Sequence, residues 1–238
     1  MFSFLFFAIA ALTTLILVLF GAPDKALAAD EEGFEEDFEE DSLITICCTW
    51  GDKLADGILT YNIVGNVEAE KEEAVHNAIE DWDDKIDLIR FDEVSSGQVN
   101  KGRPDIQIRF INDTDESEEG PATAGNTKTK LDKFGFIDHN IITIAEGGLG
   151  RTFDLKTIET IAKHELGHSL GLGHANFGSN LMTTKIESAE EAISSCELDA
   201  VSQANSWKLL DENNEDDYDD DNNNIPKIPV ITTVMCDS

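Results

Sequence analysis

Basic side chains are scarce in this chain. Its 238 residues include 17 Lys and Arg against 49 Asp and Glu, so the formal net charge is -32 at pH 7. Proteins that bind nucleic acid use patches of Lys and Arg to neutralise phosphates, and this composition provides no such excess. We therefore expect no nucleic-acid partner. Two acidic runs, 30–41 and 211–221, contain no basic residue at all and indicate strongly solvated segments.

Calcium loops of the EF-hand type and internal repeats are also missing. No D-x-[DN]-x-[DN]-G loop occurs in the sequence, so no EF-hand is predicted. The many carboxylates still allow Ca²⁺ as an additional ligand, because this ion prefers oxygen donors. Hydrophobic residues make up 41% of the chain, which is enough for the core of one domain with extensions.

Histidine is rare in this chain, and most of its histidines lie close together in the sequence. Three of the five histidines lie in the string H-E-L-G-H-S-L-G-L-G-H, residues 164–174. His164 and His168 are four residues apart, so on a helix their rings leave the same face. Two neutral imidazoles at that spacing can hold one Zn²⁺, with Glu165 carried beside them as a non-ligand. The spacing predicts a zinc site on a helix.

The second half of the string supplies a third ligand. Gly171 permits a sharp exit from the helix, which would bring His174 back to the metal. Three protein ligands leave one position open, which is typical of catalytic zinc. The extended string, followed by Met182, is the signature of metzincin peptidases. Two other interpretations stay open: histidines that only pack or cap a helix, and a zinc site without catalysis.

The first 22 residues have no charged side chain. Residues 26–28, Ala-Leu-Ala, then match the small-x-small rule of signal cleavage. The apolar run is also long enough to span a bilayer. We predict a signal peptide or N-terminal membrane anchor over 1–29 and an acidic disordered spacer over 30–42. The protein is then secreted or extracellular, and this anchor is its only expected membrane contact.

The chain has four cysteines, Cys47, Cys48, Cys196 and Cys236. Export favours disulfides, and four cysteines allow three pairings. A bond between the adjacent Cys47 and Cys48 is the least expected, because it would be strained. In a second interpretation, Cys47 or Cys48 is a thiolate that blocks the zinc in a latent form.

Periodicity outlines one catalytic domain over 43–210. Apolar patterns predict strands at 58–64, 105–110 and 141–145, a polar edge strand at 122–129, and helices at 67–89 and 188–210. Asp154 is a suitable N-cap for the helix with the zinc ligands. Residues 211–238 read as an acidic low-complexity linker and a short tail, which either adds a strand or docks through a disulfide.

Taken together, the zinc string and the order of elements before it resemble the matrixins, the matrix-metalloproteinase-like metzincins. Asn180-Leu181-Met182 follows the third histidine at the spacing of their Met-turn, and 59–61, 78–82, 91–94 and 105–108 are similar to their N-terminal landmarks. The resemblance covers roughly residues 50–210. It implies the α+β zincin fold: a twisted, mostly parallel sheet with an antiparallel edge strand, two long helices, and a small C-terminal subdomain with the Met-turn.

The resemblance also implies a function. The chain is expected to be a zinc-dependent endopeptidase of extracellular or cell-surface proteins, with one catalytic Zn²⁺ and Glu165 as general base. Protein or peptide substrates would lie along an edge strand near Ala124, Gly125 and Asn126, and we expect a monomer. Two alternatives remain: a catalytically weak zinc-binding surface or adhesion module on a peptidase scaffold, and a zinc hydrolase of non-peptide substrates.

Three departures from the matrixin pattern matter. Only His76 and His139 lie outside the zinc string, so the second, structural zinc of animal matrixins is not expected. Thr183 and Thr184 replace the proline and tyrosine that often shape the specificity pocket. Haemopexin-like repeats and a cysteine-switch motif are missing.

The disulfide pairing can be inferred from the same resemblance. In matrixin-like folds the chain start packs near the C-terminal helix. This implies a bridge from Cys47 or Cys48 to Cys196, which leaves Cys236 for the other member of the doublet.

Overall fold

The computed structural model describes residues 42–87, 89–95, 102–111, 123–148, 151–178, 180–185, 191–206 and 232–236. The strands are β1 (Leu43–Ile46), β2 (Ile58–Val64), β3 (Arg90–Glu93), β4 (Ile106–Ile111), β5 (Gly125–Leu131), β6 (Ile137–Ala145), β7 (Gly147–Gly148), β8 (Arg151–Thr152), β9 (Leu172–Ala175) and β10 (Thr232–Met235). The helices are α1 (Ala69–Asp83), α2 (Leu155–Ser169) and α3 (Ser195–Ala204), and a short 3₁₀ turn spans Asp52–Leu54.

Five strands form the main sheet in the order β3-β2-β4-β6-β5. Strands β3, β2, β4 and β6 run parallel, and β5 pairs antiparallel with β6. Parallel strands are buried on their faces, which explains the fully buried Ile106, Ile142 and Ile144. The prediction of a mostly parallel sheet with an antiparallel edge strand is confirmed.

Helices α1 and α2 each have 15 residues and pack against one another. Trp82 of α1 is fully buried, and its indole N–H donates to the carbonyl of Lys163 on α2 at 2.9 Å. The predicted helix 67–89 was too long. The helix ends at Asp83, whose carboxylate accepts a hydrogen bond from the N–H of Phe91 at 2.9 Å as the chain turns into β3.

Asp154 is the N-cap of α2, as predicted. Its carboxylate accepts from the N–H of Thr157 at 2.7 Å, which satisfies one of the unpaired donors of the first helical turn.

A second sheet of three strands, in the order β10-β1-β9, was not predicted as a unit. Strand β1 pairs antiparallel with β10 on one side and with β9 on the other. The C-terminal tail therefore adds strand β10 to this sheet. It is also linked to α3 by a disulfide, since Cys236 follows β10 and bonds to Cys196.

The predicted disulfide pairing is wrong. Cys196 bonds to Cys236 across a Cα–Cα distance of 5.4 Å, and Cys47 bonds to its neighbour Cys48. The reason lies in the antiparallel register of β1 and β10: Leu43 faces Met235, so Cys236 lies beside the start of β1. Cys47 follows the other end of that strand, roughly 13 Å away at 3.3 Å per residue.

The predicted signal or anchor (1–29), the acidic spacer (30–42) apart from Ser42, and the linker and tail (211–238) apart from 232–236 lie outside the described residues. Among the helices that are described, none is long and apolar enough to cross a membrane.

Candidate active site

The three histidines of the string meet at the end of α2. His164 and His168 leave the same face of the helix, and His174 lies on β9 immediately after the turn. Their ligand nitrogens all lie within 4.8 Å of one another. The turn depends on Gly171, whose φ of +104° is unfavourable for a residue with a β-carbon. The structure therefore brings together all three residues that the spacing selected.

The protonation of two rings is set by backbone carbonyls. Nδ1 of His164 lies 2.6 Å from the carbonyl oxygen of Leu181, and Nδ1 of His168 lies 2.9 Å from that of Leu172. A carbonyl can only accept, so each Nδ1 carries the proton and each Nε2 keeps a free lone pair. Both rings are thereby held in the tautomer that ligates a metal through Nε2.

Burial keeps these imidazoles neutral. It lowers the pKa of His168 to about 4, an effect to which the neighbouring His164 and His174 add. Burial also lowers the pKa values of His164 and His174. Neutral imidazole is the form that binds metal. Three neutral nitrogen donors with a common focus fit Zn²⁺ and leave room for a fourth ligand.

Met182 forms a buried floor beneath the helix. It is fully buried, and a β-carbon at Gly167 would lie 2.5 Å from its Sδ atom. The turn that contains it is held by three hydrogen bonds: from the Met182 N–H to the Asn180 side chain at 2.9 Å, from the Thr183 N–H to the Asn180 carbonyl at 3.1 Å, and from the Ala175 N–H to the Met182 carbonyl at 2.8 Å. The same turn supplies the Leu181 carbonyl that orients His164, so it supports the ligands without ligating.

Glu165 points away from the helix toward the edge strand β5. Its side chain is buried, and its Oε2 accepts a hydrogen bond from the Thr127 hydroxyl at 2.6 Å. Burial raises the pKa of Glu165 to about 7, although the Thr127 hydrogen bond opposes this shift. A carboxyl group with such a pKa can gain and lose a proton near neutral pH.

The contact of Thr127 with Glu165 was not predicted from the sequence. Two features of the sequence could have indicated this contact. Thr127 lies two residues after Gly125, so the two residues face the same side of a strand. That strand was already expected beside the cleft. A β-carbon at Gly125 would overlap the Glu165 carboxylate and lie 2.8 Å from Cγ2 of Ile161. Glycine at this position therefore allows β5 to approach Glu165.

The C-terminal end of α2 is anchored by buried side chains that no motif identified. The indole N–H of Trp50 donates to the Ser169 carbonyl at 2.9 Å, and the side-chain amide of Asn205 donates to the Leu170 carbonyl at 3.2 Å. The last carbonyls of a helix have no partner within the helix, so these contacts satisfy them. They also hold the turn that carries the chain from His168 to His174.

The predicted substrate strand borders the site. Gly125 and Asn126 begin β5, while Ala124 lies just before it and its carbonyl accepts from the N–H of Ala145 at 2.9 Å. Within the described part of the chain, β5 pairs with β6 alone. Its outer edge can therefore pair with an extended peptide. The strand begins at Gly125 and ends at Leu131, slightly later than the predicted 122–129.

One comparison with known proteins assigns the chain to a family. The model of a family described as Matrixin matches residues 49–205. That span contains the whole five-stranded sheet, α1, α2 and the three histidines, but neither β1 nor β10. A comparison with curated proteins found no match.

Proposed function

Because the chain belongs to the matrixin family of zinc metallopeptidases, we propose that it is an endopeptidase with Glu165 as its general base. One observation carries the proposal. Three metal-binding nitrogens lie within 4.8 Å of one another, and the residue after the first of them places a carboxyl group against β5, whose outer edge has no partner among the described residues. Metal ligands, a proton acceptor and a peptide-pairing edge are the parts that peptide hydrolysis needs.

His164, His168 and His174 would hold the metal through their Nε2 atoms. Zn²⁺ bound there would polarise the scissile carbonyl and lower the pKa of water to about 7. The carbonyls of Leu181 and Leu172 keep two of the rings oriented for this role. Met182 packs against α2 at Gly167 and is proposed as the Met-turn residue.

Glu165 would act twice. It first accepts the proton of the attacking water, and it then delivers that proton to the leaving amine. Burial raises the pKa of Glu165, which helps the carboxyl group to hold the proton between the two steps. Thr127 donates to Oε2 of Glu165, and Oε1 lies beside Gly125.

The substrate would lie extended along β5 from Ala124 to Asn126. Main-chain pairing with this edge positions a peptide without requiring a chain end, which favours endopeptidase over exopeptidase activity. Side chains would determine cleavage preference only through the pockets beside the strand.

We place the protein outside the cytoplasm, by way of the signal or anchor over 1–29. The Cys196–Cys236 bond supports this location, since disulfides persist mainly in oxidising compartments. Extracellular or cell-surface proteins are then the proposed substrates. Fractionation of the source cells with antibody detection tests this, and retention of the chain in the cytoplasm would contradict it.

The decisive experiment compares the zinc-loaded full chain with its Glu165→Gln variant on a peptide library. We expect kcat/KM to fall by about 10³-fold or more while zinc content stays unchanged, because Glu165 serves in two steps but is not a ligand. Glu159→Gln removes the same charge from the same helix and is the matched control.

A chelator should abolish cleavage by the wild-type chain, and zinc should restore it. A Glu165→Gln variant that cleaves at the wild-type rate would contradict the mechanism. A wild-type chain that binds peptides and never cleaves them would favour the adhesion-module alternative.

A further inference from the structure

A second cluster of metal-binding side chains lies on α1 and β3. Glu72 and His76 are one turn apart on α1, and Glu93 is the last residue of β3. One ligand atom from each lies within 4.8 Å of the other two, and Nε2 of His76 is 3.4 Å from an Oε atom of Glu93. Strand β3 forms the edge of the sheet opposite β5. This cluster is therefore separate from the candidate active site.

His76 carries an unsatisfied nitrogen in this cluster. Its Nε2 atom is shielded from solvent and makes no hydrogen bond, because the nearby Glu93 oxygen is within ion-pair distance without the alignment of a hydrogen bond. A shielded ring nitrogen normally has a partner, and a bound ion is one of the standard explanations when it does not. Helix spacing supports this reading, since i and i+4 side chains leave the same face.

The surroundings of the cluster are strongly negative. Besides Glu72 and Glu93, helix α1 carries Asp83 at its last position and strand β3 carries Asp92. The Tyr61 ring meets the His76 ring edge-on, with centroids 6.3 Å apart. A cation beside His76 would reduce the repulsion among these groups.

The donor set selects the class of metal. One imidazole nitrogen and two carboxylate oxygens suit divalent zinc and similar transition ions, whereas Ca²⁺ and Mg²⁺ prefer all-oxygen sites. Ligands of a tetrahedral zinc lie about 3.3 Å apart, given bonds of about 2.0 Å. The 3.4 Å between His76 and Glu93 already fits that spacing. The Glu93 side chain is 45% exposed, so water can complete the coordination from that side.

We propose that Glu72, His76 and Glu93 form a second, structural Zn²⁺ site that fastens α1 to the edge strand β3. This proposal departs from the expectation of a single zinc, which rested on the lack of upstream histidines for the second zinc of animal matrixins. A mixed site of one histidine and two glutamates needs no such set. It would add a further link between α1 and β3, which are already joined by the hydrogen bond from the Phe91 N–H to Asp83.

Zinc stoichiometry tests the proposal without reference to activity. The full chain is stripped with a chelator, reloaded with excess Zn²⁺ in millimolar Ca²⁺ to occupy weak carboxylate sites, desalted, and measured by elemental analysis. The proposal expects two ions per chain for the wild type and one for either His76→Gln or Glu72→Gln. Glu73→Gln removes the same charge from the neighbouring exposed position of α1, and it should retain both ions.

A second measurement separates this site from the first. His164→Ala combined with His168→Ala should leave one zinc per chain, and adding Glu72→Gln should remove it. Circular dichroism of each variant establishes that it is folded. If the double variant is unfolded, the zinc content of the single variants Glu72→Gln and Glu73→Gln still tests whether the second site exists. One ion in the wild type, unchanged in His76→Gln and Glu72→Gln, would overturn the proposal, and so would two ions that persist in both variants.

Discussion

The hydrogen bond between Thr127 and Glu165 leads to a prediction about pH. Thr127→Val removes the hydroxyl that donates to Oε2 of Glu165 at 2.6 Å and keeps the shape of the side chain. A hydrogen bond to a charged group is worth about 1.5–3 kcal/mol. Its loss destabilises the ionised carboxylate. The pKa of Glu165 should therefore rise by roughly 1–2, because a pKa change of 1 corresponds to about 1.36 kcal/mol.

The sign of the effect on activity follows directly. The general base must be ionised, and a higher pKa reduces the ionised fraction at any pH below it. The acidic limb of the kcat/KM profile should therefore move to higher pH by about 1–2, which lowers activity roughly 10- to 100-fold on that limb. The alkaline plateau should change much less. A bound dication lowers the pKa of Glu165 in both proteins alike, so the difference between them is the informative quantity.

The assay is a pH–rate profile of a fluorogenic peptide with the wild type and three variants of β5. Thr127→Ser keeps a hydroxyl and should restore the wild-type profile. Thr129→Val makes the same exchange one position further along the same face of the strand and should not move the acidic limb. A Thr127→Val profile that superimposes on the wild type, or that moves to lower pH, would refute the reasoning.

Three further predictions concern the site and the tail. Gly125→Ala should lower kcat/KM by about 10²-fold or more, since its β-carbon would overlap the Glu165 carboxylate, whereas Gly178→Ala has open space and should be neutral in the same assay. His174→Ala should lose the catalytic zinc in elemental analysis because a three-ligand site has no spare donor; full zinc content would contradict it. Cys196→Ser should lower the free energy of unfolding by about 4 kcal/mol in urea titrations, since the bond closes a loop with a sequence separation of 40; an unchanged midpoint would show that the tail contributes nothing.

Patterns within a single element could be predicted from the sequence. The i, i+4 spacing of His164 and His168 fixes their common face on any helix, and Asp154 caps α2 for reasons confined to one turn. Buried, alternating Ile106 and Ile108 identified β4 in the same way. Local geometry also predicted the turn at Gly171, because only a residue without a β-carbon adopts its positive φ easily.

Contacts between distant segments were decided by the tertiary structure alone. Thr127 reaches Glu165 across 38 residues, and Trp50 reaches Ser169 across 119. No periodic pattern in the sequence indicates either contact. The first arises because β5 packs against α2, and the second because the segment that contains Trp50 packs against the end of α2. The cysteine pairing failed for the same reason. It depends on the antiparallel register of β1 and β10, which places Cys236 beside the start of β1 and far from Cys47. Sequence spacing determines which side chains share a face, and the register of segments far apart in the chain determines which faces meet.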